Sequence, residues 1–113
     1  MQFSYQSEKL SAARACLMLP HTHGEAESIA AAFRNCSLAF HNMDESGLDD
    51  SAREWVRKIK QFMDTSGVQD PSGKGTWAVK ASTFTTDQQL ELSRLIDELA
   101  HWFDRRIWET QGG

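Results

Sequence analysis

The chain has 113 residues, 12 Lys and Arg against 16 Asp and Glu, a formal net charge of −4, and 40% apolar content. That suits a single domain, residues 1–113, with one core that needs no metal or disulfide staples. No stretch is strongly basic, which argues against a dedicated nucleic-acid binder and against a peripheral membrane helix with a Lys/Arg-rich face.

The first residues, MQFSYQSEK, are polar and lack the apolar centre of a secretory signal. The longest uncharged apolar-leaning run, residues 15–20, is too short to cross a bilayer. Cys16 and Cys36 are too few and too far apart for a metal knuckle or a disulfide framework. A cytoplasmic, reduced protein is the simplest reading.

In chain order, residues 7–19 form the first predicted helix. Ser7 is its predicted cap, Leu10, Ala13, Cys16 and Leu17 its inward stripe, and Pro20 its end. Phe3 and Tyr5 precede it and are expected to pack against the bundle end. After a turn at residues 21–24, a second helix spans residues 25–41. Ala26, Ile29, Ala30, Phe33, Cys36 and Phe40 fall within one stripe, and Glu25 and Glu27 complement the helix dipole. Residues 42–48 read as a loop. A third helix spans residues 50–65, capped by Asp49 or Asp50, with Trp55, Val56, Ile59, Phe62 and Met63 inward. Gly67 is placed just past its end in a left-handed turn. Residues 68–75 are loop by composition, and residues 76–84 read as a helical turn or two, or as an extended segment. Helix is preferred, because no second strand candidate exists to pair with it.

Residues 85–109 carry the strongest periodicity. Leu92, Leu95, Ile96, Leu99, Trp102, Phe103 and Arg106 recur at three- and four-residue spacing, on one side of a long helix. Thr85 with Gln88, or Thr86 with Gln89, has capping-box spacing. The predicted class is therefore all-α: an antiparallel up-and-down four-helix bundle with a short extra helical turn or extended segment before the last helix. Histidine phosphotransfer domains share this size and architecture, but they set an exposed His before a Lys-Gly pair. None of the four histidines here is followed by Lys-Gly, so that resemblance is not adopted.

No stretch assembles a complete catalytic constellation. His21, His23 and Glu25 alternate in HTHGE, and an extended loop projects all three to one side, a donor set suited to a transition metal such as zinc. A fourth ligand has to come from elsewhere, with His41 a candidate. The competing reading is a polar turn with Glu25 answering the helix dipole. PSGKGT, residues 71–76, resembles a phosphate-binding loop only loosely: Gly67 lies one residue too far from Gly73, and Gly75 follows Lys74 where Ser or Thr belongs. Glu98 and His101 have the E-x-x-H spacing of di-iron bundles, but only once, and they point away from the apolar stripe. Cys16 and Cys36 read as small inward hydrophobes. Leu38, Leu90 and Trp108 lie off the main stripes and mark a candidate self-association surface. The sequence thus favours a small protein–protein interaction module, a homodimer without cofactor or chemistry of its own. A metal-binding protein or metalloenzyme using His21, His23 and Glu25 is the alternative.

Overall fold

The structure, a computed structural model, describes residues 3–18, 25–41, 43–71, 73 and 75–112, with the side chains of residues 18 and 108–112 outside that description. Among the described residues are five α-helices: α1 (Ser4–Met18), α2 (Glu25–Phe40), α3 (Asp50–Met63), α4 (Thr76–Ala81) and α5 (Thr86–Gly112). No strand occurs among the described residues. Four of the helices are long, and α4 has 6 residues.

The helix α1 begins earlier than the capping pattern predicts. Phe3 takes a positive φ of 72°, and its carbonyl accepts the Ser7 N–H at 2.8 Å. Ser7 is therefore buried inside the first turn rather than capping it. A left-handed φ at a non-glycine residue costs roughly 1–2 kcal/mol. Burial of the Phe3 ring, 5.7 Å from Trp102 and 5.1 Å from Phe103 between centroids, offsets that cost. Tyr5, expected against the bundle end, lies within α1 and is exposed, with the Lys9 ammonium 5.4 Å from its ring.

On α2, Ile29, Ala30, Ala32, Phe33, Cys36 and Ala39 are buried. The alanines leave room for α1, which packs on α2 and also on α5. A 3₁₀ turn, Glu45–Gly47, leads to α3. Asp49 caps α3, its carboxylate accepting the Ala52 N–H at 2.9 Å. This helix ends at Met63, short of the predicted residue 65, because the Asp64 carboxylate accepts the Ser66 N–H at 3.0 Å and turns the chain away. Gly67 has the expected positive φ, 78°, but in the next turn, where the Val68 N–H donates to the Thr65 carbonyl at 2.9 Å.

The segment before the last helix is helical, as α4. Its Trp77 indole N–H donates to the Met63 carbonyl at 3.1 Å, and the Lys80 ammonium donates to the carbonyls of Gln61, at 3.1 Å, and Asp64. Thus α4 supplies both donors and positive charge to the open end of α3. A reciprocal capping box starts α5: Thr85 Oγ1 accepts the Gln88 N–H at 3.1 Å, and Gln88 Oε1 accepts the Thr85 N–H at 2.8 Å. Leu92, Leu95, Ile96, Leu99, Trp102 and Phe103 are buried along α5, which packs against α1 and α3. These residues join Leu10, Phe33, Val56 and Ile59 in one core. The molecule is elongated, 51 × 29 × 23 Å.

Candidate functional site

The last turns of α3 and the start of α4 enclose an open groove of about 630 Å³ lined by Arg57, Lys60, Gln61, Met63, Asp64, Thr65 and Trp77. Gln61 also borders a second depression of about 370 Å³, with Lys58, Phe62, Lys80, Phe84 and Gln88. The floor is apolar because the aromatic rings interlock. Phe33 meets Trp77 edge-on at 6.2 Å and Phe84 at 6.3 Å, and Phe62 meets Phe84 at 5.5 Å. Trp77 and Phe84 stay partly exposed above this stack.

Around the floor stand four cations, Arg57, Lys58, Lys60 and Lys80, and one carboxylate, Asp64. Arg57 pairs with Glu54, and Lys58 lies 4.0 Å from the same carboxylate. The hydrogen bond from Arg57 holds the Glu54 carboxyl below its usual range and raises the guanidinium. Ser66, through its hydroxyl and N–H, lowers Asp64. Lys60 lies 5.8 Å from the Phe40 ring centroid and is exposed.

His21 and His23 lie outside the described residues. Glu25 is exposed at the start of α2, beside a crevice of about 50 Å³ formed with Leu17, Ile29, Gln89 and Ser93. His41 is exposed in the turn after α2. Among the described residues no group of three His, Cys, Asp or Glu is placed to hold a metal. In the glycine-rich loop, Ser72 and Lys74 lie outside the described residues. The Gly75 N–H donates to the Asp70 carboxylate at 2.7 Å, so a negative group already occupies the direction a phosphate needs. Glu98 and His101 are exposed and border a depression of about 340 Å³ with Asp97 and Arg105.

Cys36 is fully buried, and burial, with Cys16 nearby, pushes its thiol up to about 12. The Asn35 amide reaches the Cys16 sulfur at 3.9 Å. Both thiols are free. Leu90 is 64% and Leu38 47% exposed. Gln89 lies beside Glu25 at one end of α2. Leu38 lies thirteen residues farther along that helix, about 20 Å at the α-helical rise. The two leucines therefore do not share a patch. Trp108 is on α5, and its side chain lies outside the described residues.

Two features escape a reading by stripe alone. One is the groove itself, whose only sequence signal is Trp77 and Lys80 at i,i+3 soon after a helix end. The other is Asp49, whose second carboxylate oxygen accepts the Trp102 indole N–H at 3.0 Å and lies 3.9 Å from Arg106. No family model, no curated protein and no solved structure matches the chain.

Proposed function

We propose that this chain is a small cytoplasmic protein–protein interaction module without chemistry of its own, which associates with a second copy and offers the α3–α4 groove to a protein partner. The observation that carries the reading is the groove: an apolar floor at Met63 and Trp77 flanked by Arg57, Lys60 and one carboxylate, Asp64, on a chain of net charge −4. Large apolar groups left at a polar-rimmed surface mark binding sites more often than they mark errors of burial. The perturbed carboxylates have structural partners that account for their shifts, in Ser46, Ser66, Ala52, Arg57 and Arg94. No helix among the described residues is long and apolar enough to cross a membrane.

The arrangement proposed for the four long helices is the antiparallel up-and-down bundle. It is supported by contacts along α5. Phe3 meets Trp102 and Phe103, and Arg14 meets Asp97 at 3.2 Å, so α1 runs against α5. Asp49 meets Trp102 and Phe62 meets Phe84, so α3 does too. Glu25 and Ile29 line one crevice with Leu17 of α1 and with Gln89 and Ser93, which agrees with α2 returning along α1.

Self-association is proposed through Leu90, the most exposed large apolar side chain described, with Leu38 and Trp108 as the further interface residues. Sedimentation equilibrium across micromolar concentrations tests it. The expected result is a monomer–dimer equilibrium that Leu90→Asp shifts to monomer. A strictly monomeric wild type removes the dimer and leaves the groove reading in place. The metal alternative, with His21, His23 and Glu25 as ligands, rests on sequence spacing. Elemental analysis of untagged protein and a melt with added zinc test it, and substoichiometric metal with no change in Tm ends it.

A further inference from the structure

Resting on the reading of the α3–α4 groove as a docking surface, we infer that its occupant is an acidic amphipathic helix of a partner protein. Its apolar stripe sits on Met63 and Trp77, and its flanking carboxylates meet Lys60 and, beside it, Arg57. Three observations select that chemistry.

The first is charge. The two adjoining depressions carry four cations and one carboxylate, the reverse of the balance of the whole chain, −4. Lys60 has no carboxylate partner among the described residues, and its ammonium stands over the Phe40 ring face. An incoming carboxylate therefore gains a cation without displacing an existing ion pair.

The second is the backbone of the guest. A guest that binds by strand addition needs an open sheet edge for its N–H and C=O groups, and no strand exists among the described residues. A helical guest satisfies its own backbone and offers one row of apolar side chains. The exposed parts of Met63 and Trp77 present such a row with an apolar counterface.

The third observation separates a protein helix from a nucleic acid. Lys80 is committed to the carbonyls at the end of α3. A phosphate backbone needs a run of cations and gains nothing from the apolar floor, whereas an acidic amphipathic helix uses both parts.

The test is an NMR titration of ¹⁵N-labelled full-length protein with four probes. The first is a synthetic helix of about 16 residues, long enough to hold a helical conformation once docked, with Leu at i, i+3/i+4 and i+7 and Glu on the flanks. The second keeps the leucine stripe with Gln flanks. The third scrambles the acidic peptide. The fourth is a single-stranded oligothymidylate. The expected result is that the acidic helix shifts the Trp77 indole and the Gln61 and Met63 amides, and binds about tenfold more tightly than its Gln-flanked form. Lys60→Glu, an exposed change that leaves the melting curve in place, weakens the acidic helix by about tenfold. Equal affinity of the Gln-flanked peptide at these residues overturns the acidic partner and keeps the docking groove. Equal binding of the scramble, or tighter binding of the oligonucleotide at the same residues, overturns the amphipathic helix. Probes that all leave the groove resonances in place overturn the docking reading together with the partner class.

Discussion

Asp49 performs two tasks with two oxygens. One accepts the Ala52 N–H and starts α3; the other accepts the Trp102 indole N–H and ties that start to α5. Asn caps a helix about as well as Asp, but it has a single acceptor oxygen. Asp49→Asn therefore keeps the cap and loses the indole bond. The carboxylate is about half exposed, so the expected loss is about 0.5–2 kcal/mol, read from urea unfolding. Trp102→Phe removes the donor instead, and the double variant should cost less than the sum of the two. Additive losses would deny the coupling. The same residue sets a pH dependence. Hydrogen bonds from Ala52 and Trp102 hold its carboxyl below the ordinary carboxylate range. A depressed folded value contributes stability that is fully present above the ordinary value, about 4, and is lost as pH falls through the lowered one. Stability should hold from neutral pH to about 4 and decline below it, less steeply in Asp49→Asn. Cys36 gives the opposite case. With its thiol pushed up to about 12 and its side chain sealed in the core, it stays protonated near neutrality. Ellman's reagent should therefore modify Cys16 alone in the folded protein and both cysteines in urea.

The helices differ in how plainly their residues announce them. Six of the buried residues of α5, together with Thr85 as one of its two candidate caps, are legible from spacing because the partners lie within one or two turns of each other. The stripe of α2 and the Asp49 cap of α3 are legible for the same reason. The start of α1 is not, because Phe3 is held by Trp102 and Phe103 at the far end of the chain, and local capping rules then favour Ser7. The groove is hidden likewise, since it forms only when α4 folds onto the end of α3. This dependence has a measurable consequence. Trp77→Phe keeps the ring packed on Phe33 but removes the donor to the Met63 carbonyl. Lys80→Met removes the ammonium from the carbonyls of Gln61 and Asp64. Each should lower stability by about 0.5–1.5 kcal/mol. Both should speed hydrogen exchange in the last turn of α3 more than at its Asp49-capped start. Uniform acceleration along α3 would instead make α4 a general packing element.

At the scale of the whole chain, the contacts that meet α5 come from opposite ends of its neighbours. Phe3 and Asp49, at the starts of α1 and α3, meet Trp102, while Phe62, near the end of α3, meets Phe84 just before α5 begins. The proposed up-and-down arrangement makes a distance prediction that a rearranged helix order does not share. Residue 4 should lie near residue 104 and far from residue 90, since fourteen residues of α5 separate the two positions, about 20 Å along its axis. Ser4, Leu90 and Asp104 are all exposed, so nitroxide labels at these sites leave the core undisturbed. With Cys16 and Cys36 replaced by alanine, the 4/104 pair should give the short distance and the 4/90 pair the long one in pulsed dipolar spectroscopy. A dimer adds intermolecular distances, which dilution with unlabelled protein removes, so chain topology and self-association are read separately. A short 4/90 distance that survives dilution would place α1 parallel to α5. That arrangement is incompatible with Phe3 on Trp102 and Arg14 on Asp97, and with the single core those contacts close.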